Sequence, residues 1–374
     1  MTGSRPRWEV RVQAGAEAYP VVVGPGVLEE LPELLARLAP AHRYALISDA
    51  TVHGHHGPRV LAHVSQGGAT VSSHTFEAGE ERKNRAEWGR LTDELVAAGL
   101  GRDACVIALG GGVAGDLAGF VAATYMRGVP VVQLPTSLVA MVDSSVGGKT
   151  GIDLPTGKNL VGSFHPPQFV LADTELGSTL PVVERSQGLA EAVKHGAILD
   201  AEYFEAIVTS ADALLAGEPD ATARMVARSV ELKARVVSED EREGGLRQIL
   251  NFGHTLGHAI EAASAYRLPH GSAVSIGMIW EARLGELLGV TREGVADRLV
   301  SALRAVGLPV EPESIADADR LLEWISRDKK ARGGTARYVL LRDVGEVDPG
   351  EGWSRPVLSE AVRAILTTGM STGV

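Results

Sequence analysis

Through the first 180 residues, short apolar runs alternate with longer stretches of helical periodicity, and this rhythm restricts the fold more than any other feature. Tyr44–Ser48, Thr70–Phe76, Ala104–Leu109, Val129–Leu134 and Phe169–Ala172 read as strands. Residues 51–66, Glu87–Ala98 and Ala114–Tyr125 read as the helices between them. Short apolar strands separated by helices build parallel βαβ units. Two more strands, Trp8–Val12 and Tyr19–Val23, come first, joined by a Gly/Ala turn. From about Pro181 the rhythm changes. Residues 182–199, 201–216, 218–239, 246–265, 272–288 and 292–306 carry helical periodicity, a short strand pair near Arg337–Arg342 and Gly345–Val347 interrupts, and 358–367 form a last helix. The expected architecture is an α/β domain over residues 1–180 followed by a mostly α-helical domain over 181–374. Residues 138–168, rich in Gly and Ser with little periodicity, read as one long loop, and a loop of that length in a compact chain is usually functional.

The length of 374 residues also favours two domains. A net charge of −11 without a long basic run argues against nucleic acid as a partner, so cations for an anionic substrate must be concentrated locally. The single cysteine, Cys105, excludes an internal disulfide and suits a reducing compartment. The first seven residues lack an apolar signal core, and no run of about 18 apolar residues exists to span a bilayer. A cytoplasmic protein without membrane contacts is the expectation.

Gly110-Gly-Gly-Val-Ala-Gly-Asp116 follows an expected strand and opens an expected helix. Glycines there let backbone amides approach a pyrophosphate at a helix N-terminus, although such turns also recur for packing alone. The acid that binds ribose about 20 residues later in a standard Rossmann unit is missing, since Pro135 stands there. Asp49 and Glu80 are earlier acids that could serve, which points to a variant α/β nucleotide fold. Gly148-Lys149-Thr150 is no ATPase P-loop, because Asp143 occupies the position of the first required glycine.

Arg247, Asn251, His254 and His258 stand at i, i+4, i+7 and i+11. On one continuous helix they would share an arc of roughly 60°. That stripe is neither apolar like a core face nor Glu/Lys-rich like a solvent face, although a hydrogen-bonded structural face would look the same. His254 and His258, four apart, could chelate one metal, with His270 as a third candidate. Thr255 occupies the place of the zincin glutamate, so protease chemistry is unsupported. Glu191 and Lys194 share a helix face at i, i+3, a pair more often found on a surface than in a site. His53, His55, His56 and His74 lack such context and read as surface or loop histidines.

Taken together, Gly110–Asp116, Leu134–Leu138, Val142–Thr150, Gly157–Leu160, Gly188–Gly196, Glu231–Lys233, Asn251–Glu261 and Arg327–Lys330 resemble, in order, the sequence blocks of the 3-dehydroquinate synthase family of sugar-phosphate cyclases. The resemblance spans roughly residues 20–350. It implies a nucleotide-binding α/β domain holding NAD and a helical domain holding Zn2+ or Co2+ and the substrate, a phosphorylated keto sugar acid, in a homodimer. Carried over, the metal ligands are Glu191, His254 and His270, with His258 on the substrate side. NAD contacts fall on Asp49, Glu80 and Lys83, on Gly112, Val113, Ala114, Gly115 and Asp116, on Thr136, Ser137, Lys149 and Lys158, and on Leu176, Gly177, Ser178 and Thr179. Lys149, Asn159 and Lys330 would hold a phosphate, with Lys329 as the alternative to Lys330 and Arg127 reaching in from the partner. Lys233 and Arg247 would hold a carboxylate, while Asp143, Lys194, Asn251 and His258 would contact hydroxyls or relay protons. The chain departs from the family pattern at Ala78, often Asp, and at Ser272, often Glu.

The implied reaction converts 3-deoxy-arabino-heptulosonate 7-phosphate to 3-dehydroquinate and phosphate in the shikimate pathway, with NAD regenerated in each turnover. Three rival readings stand beside it. Another cyclase of this superfamily, making an amino-dehydroquinate or a cyclitol, would share most of these blocks. A metal- and NAD-dependent polyol dehydrogenase would have no use for a phosphate pocket. A non-catalytic binding protein would not need the complete set.

Overall fold

A computed structural model of the chain describes residues 5–15, 17–66, 68–312, 318–331 and 336–370, with the side chains at 17, 327–331 and 368–370 outside that description. The chain forms two compact units: Met1–Pro181 with Gly217–Glu241, and Val182–Ala216 with Arg242–Val374.

The first unit is built on a sheet of β1 (Trp8–Ala14), β2 (Glu17–Gly24), β3 (Arg43–Asp49), β4 (Thr70–Phe76), β5 (Ala104–Gly110), β6 (Val131–Pro135) and β9 (Val170–Asp173). The strand order is β1-β2-β9-β6-β5-β3-β4; β1 and β2 are antiparallel and every other neighbour is parallel. Helices α1 (Leu31–Leu38), α2 (Ala50–Gln66), α3 (Arg85–Ala97) and α4 (Gly112–Thr124) lie between strands. Side chains alternate across the sheet. Leu46, Cys105, Ile107 and Leu109 therefore join one core with α1 and α2, while Ala45, Ile47, Val106 and Ala108 join another with α3 and α4. A sheet covered on both faces needs unbroken apolar strands, and this is why the central strands are the clearest runs in the sequence.

The expected loop over 138–168 is instead ordered. A π-helical turn, Ala140–Ser144, leads into an antiparallel hairpin of β7 (Lys149–Leu154) and β8 (Gly157–Phe164). Its glycines are a steric requirement. A Cβ on Gly162 would stand 2.2 Å from the carbonyl oxygen of Thr150, and one on Gly151 would stand 2.8 Å from that of Val161.

The second unit holds α5 (Val182–Leu199), α6 (Ala201–Thr209) and α7 (Ala211–Ala216), so the expected helix over 201–216 is broken at Ser210. The next helix, α8 (Pro219–Glu239), packs on β1 and β2 and belongs to the first unit. Periodicity reports that a helix has an apolar face but not which unit that face meets. Further helices are α9 (His254–Ala263), α10 (His270–Leu287), α11 (Val295–Ala305), α12 (Ala318–Ala331) and α13 (Ser359–Met370). The expected strand pair near residues 337–347 is two pairs: Arg337–Tyr338 with Arg355–Pro356, and Leu341–Asp343 with Glu346–Val347.

The single helix expected over 246–265 does not form. Leu246–Asn251 is a 3-10 turn, Gly253 takes the left-handed conformation at φ 78°, and α9 starts at His254. Arg247 and Asn251 therefore do not share a helix face with His254 and His258. A glycine able to reverse the chain ends the helix register at that point.

Candidate functional site

Three stretches of the second unit bring Glu191, His254 and His270 together. Glu191 is in the middle of α5 and buried; His254 and His270 are the first residues of α9 and α10. Glu191 Oε1 lies 3.6 Å from His254 Nε2 and 3.5 Å from His270 Nε2. One ligand atom from each of the three falls within 4.8 Å of the others. Two atoms each bound at about 2.1 Å to one tetrahedral ion stand roughly 3.4 Å apart, so the spacing suits a zinc-sized cation.

The ring orientations also fit. His254 Nδ1 lies 3.1 Å from the carbonyl oxygen of Phe252, which can only accept, so Nδ1 carries the proton. Burial first, then Lys194, holds His254 down to about 3, so the ring is neutral and Nε2 presents a lone pair to the Glu191 carboxylate. Two acceptors facing each other in a buried place repel unless a cation lies between them. His270 Nδ1 lies 3.2 Å from Glu261 Oε2. Against burial, which pushes it down, Glu191 and Glu261 raise His270 to about 10, so it carries a proton that a divalent ion would replace. Anchoring the far nitrogen of a ligating histidine on a carbonyl or a carboxylate is the usual way such ligands are aimed. The residues present fit a divalent metal with a position left open.

Beside this triangle, Lys194 Nζ pairs with Glu191 Oε2, and both side chains are almost wholly buried. The surface placement that a Glu/Lys pair ordinarily has is thus excluded. His258 is exposed one turn along α9, its ring centroid 5.3 Å from that of His254 and 6.0 Å from that of His270. Arg247 is buried in the 3-10 turn, and Asn251 donates through Nδ2 to Glu243 Oε1 at 2.6 Å. Lys329 and Lys330 fall on α12, where side chains lie outside the described residues.

In the first unit, most of the residues expected to contact NAD gather at the C-terminal ends of the parallel strands, while Lys149 and Lys158 lie on the β7–β8 hairpin. Asp49 ends β3, Gly110 ends β5 and Gly111 joins it to α4, Thr136 and Ser137 follow β6, and Leu176, Gly177, Ser178 and Thr179 follow β9. That edge is where open α/β sheets bind ligands. Gly112 is the first residue of α4, so the amides of Gly112, Val113 and Ala114 have no partner within the helix, whereas that of Gly115 already donates to the Gly111 carbonyl oxygen. Asp49 Oδ1 accepts from the amide of Val52, His56 lies 3.1 Å from the Thr179 hydroxyl, and Ser137 accepts from the amide of Ala140. A Cβ on Gly111 would stand 3.1 Å from Ser137 Oγ, so the turn leaves little room for a side chain there.

Lys83 is the hub of a second buried cluster. Its Nζ lies 2.8 Å from Asn159 Oδ1, 3.1 Å from Glu80, 3.2 Å from Asp116 and 3.7 Å from Asp153. Burial pushes the Asp116 carboxyl up to about 6 while Lys83 pulls against it. Against the same burial, Lys83 and Lys158 hold Glu80 below its ordinary value. Lys233 Nζ, on α8, donates to both the carbonyl oxygen and Oδ1 of Asp143 at 2.6 Å, which ties that helix to the π-helical turn. Lys149 opens β7 and is exposed, and Arg127 is exposed on a turn where Met126 and Arg127 both take positive φ.

Several residues escape a reading of the sequence. Asp153 sits in what reads as loop. Glu261 anchors His270 and lies seven residues beyond His254, a same-face spacing that could have flagged it. Glu281 is wholly buried on α10 between Trp280 and Ala282, and such a group needs partners. His56 and His74 are not surface histidines. His56 is buried on α2, and buried His74 bridges Ser72 at 2.8 Å and Glu94 at 3.1 Å.

Residues 73–187 match the family description 3-dehydroquinate synthase N-terminal, and residues 188–331 match 3-dehydroquinate synthase C-terminal. The 3-dehydroquinate synthase of Caulobacter vibrioides is 47% identical over 345 residues, covering 90% of this chain and 93% of that protein. Among solved structures, 2-deoxy-scyllo-inosose synthase complexed with carbaglucose-6-phosphate, NAD+ and Co2+ superimposes with a TM-score of 0.90 at 27% identity, over 97% of this chain and 100% of that one. The 2-epi-5-epi-valiolone synthase of Streptomyces hygroscopicus subsp. jinggangensis, with NAD+ and Zn2+ bound, gives 0.85 at 28% identity over 98% and 100%. With both halves of the family description matched and this identity over nine-tenths of its length, the chain belongs to the 3-dehydroquinate synthase family.

Proposed function

We propose that the protein converts 3-deoxy-arabino-heptulosonate 7-phosphate to 3-dehydroquinate and phosphate in the shikimate pathway, as a phosphate-eliminating lyase with NAD and Zn2+ or Co2+ as cofactors. The observation that carries the reading is the Glu191, His254 and His270 triangle with both imidazoles anchored through Nδ1. When bound, the ion supplies a Lewis acid for a substrate hydroxyl and NAD supplies a reversible hydride acceptor.

The chain's own groups do the rest. Lys194, buried against Glu191, offsets the carboxylate charge and moves a hydroxyl proton. Asp143, Asn251 and His258 orient hydroxyls. Lys149, Asn159 and Lys330 hold the phosphate, and Lys233 with Arg247 holds the carboxylate, two anionic ends that call for two clamps. Glu80, Lys83 and Asp116, with the first turn of α4, bind NAD. In a cytoplasmic homodimer, Arg127 serves the partner's phosphate; its strained, exposed turn supports that role. No helix among the described residues is long and apolar enough to cross a membrane.

The cyclitol synthases share the fold and the cofactors, but at 27% and 28% identity against 47% for the Caulobacter enzyme. Lys233 and Arg247 favour a substrate with a carboxylate. The test is incubation with the heptulosonate phosphate and catalytic NAD+, with and without EDTA. The expected result is stoichiometric phosphate and dehydroquinate, no net NADH, and loss of turnover in EDTA. Net NADH accumulation would point to a polyol dehydrogenase. Turnover of neutral sugar phosphates alone would point to a cyclitol synthase.

A further inference from the structure

Both imidazoles of the metal triangle occupy the first position of a helix, where backbone amides have no partner within the helix. Neither helix is capped by its own preceding residue: the N-cap positions are Gly253 and Pro269, and neither makes a side-chain cap. The caps come from other helices. Glu281, in the middle of α10, accepts from the amide of Gly253 through Oε2 at 2.7 Å and from that of Leu256 through Oε1 at 3.2 Å. Those two amides bracket His254. Gln187, on α5 one turn before Glu191, accepts through Oε1 from the amide of Ser272 at 2.8 Å, and its Nε2 lies 3.1 Å from the Ser272 hydroxyl. That amide lies two residues beyond His270.

The arrangement is a relay. Helix α5 supplies the ligand Glu191 and the cap for α10; α10 supplies the ligand His270 and the cap for α9; α9 supplies His254. Close backbone approach fixes the same contacts. A Cβ on Gly277 would stand 2.0 Å from the Gly253 carbonyl oxygen, and one on Gly271 would stand 2.5 Å from that of Gln187. Glu281 and Gln187 are buried, and their polar ends are engaged by these amides, by that of Thr255 and by the Ser272 hydroxyl.

We propose that Glu281 and Gln187 are positioning residues for the metal: each caps the helix whose first residue is a ligating histidine, and so sets where that imidazole stands relative to Glu191. The proposal rests on the reading of Glu191, His254 and His270 as the ligand set. Supporting groups of this kind are worth 10–100-fold in metal affinity.

The test titrates apoprotein with Co2+, followed by its visible absorption bands and by competition with a chelator. Glu281→Gln keeps one acceptor but turns an amide donor toward a backbone donor; Gln187→Leu removes the cap; Gln187→Glu keeps the acceptor. Leu299→Ala in the core of α11 serves as a control for general destabilisation. Glu281→Gln and Gln187→Leu should bind Co2+ about 10–100-fold more weakly with altered bands. Gln187→Glu should restore both, and Leu299→Ala should lower melting temperature while leaving affinity and bands native. Native affinity and bands in Glu281→Gln and Gln187→Leu, with affinity lost in His270→Ala, would overturn the positioning role alone. Native affinity in His270→Ala as well would overturn the ligand set itself. If Glu281→Gln fails to fold, Gln187→Leu against Gln187→Glu decides the matter.

Discussion

His254 shows how little of a site lies in a residue's identity and how much in its neighbours. As a bare imidazole it is one of 11 histidines. What suits it to the proposed role of ligand is the Phe252 carbonyl, which fixes its proton on Nδ1, and the buried Glu191 carboxylate facing the other nitrogen. In the proposed site, Lys194 would share that carboxylate with the ion. Removing one member of a buried ion pair costs about 3–5 kcal/mol when the other charge is left uncompensated. A bound cation can compensate Glu191, so Lys194→Ala should lower the melting temperature of the metal-free protein much more than that of the metal-loaded protein. Scanning calorimetry of both forms checks this, and equal losses would count against a metal at Glu191. The same variant should lose turnover by about 10²–10⁴-fold if the lysine moves a proton.

At the scale of elements, the central strands were legible because a sheet covered on both faces demands continuous apolar runs, as in Ala104–Leu109. Strand β5 also carries Cys105, whose thiol burial pushes up to about 12. In the folded state it stays protonated well above the unfolded value of about 8.5. That contribution to stability is intact below about pH 8.5 and is lost as pH rises toward 12. Accordingly, a thiol reagent at pH 8 should leave the native protein unlabelled and modify one thiol per chain in guanidinium; rapid native labelling would contradict the burial. The π-helical turn and the β7–β8 hairpin were not legible, because glycines required for close strand approach look like loop composition. Nor was the break before α9. Arg247, Asn251, His254 and His258 mimic one helix face, and only the left-handed Gly253 separates them. Of the proposed ligand set, residue type and spacing near that break singled out His254, paired with His258. The choice of His270 over His258 needed the family resemblance. At the α9–α10 crossing, Gly277→Ala would press a methyl group on the Gly253 carbonyl, and overpacking of this kind costs about 1–3 kcal/mol. Chemical denaturation should register that loss, together with weaker Co2+ binding.

At the scale of the whole molecule, the chain passes from the first unit to the second at residue 181, returns for residues 217–241, and leaves again. The change of rhythm near residue 180 marks the first crossing, but the return of α8 has no signature in periodicity. Its consequence is testable. A fragment ending at residue 181 lacks α8, which covers β1 and β2 and supplies Lys233 to Asp143. Such a fragment should show no cooperative unfolding transition by near-ultraviolet circular dichroism, and a sharp native-like transition would contradict the placement of α8 in the first core.

In the proposed site, Glu191, His254 and His270 hold one divalent ion. Anomalous diffraction at the zinc edge, from crystals of the zinc-loaded protein, tests it most directly. A single strong peak is expected about 2.0–2.2 Å from a Glu191 carboxylate oxygen and from Nε2 of both histidines. A peak held instead by His258, Glu261 and His270, the neighbouring cluster that could also bind an ion, would contradict it.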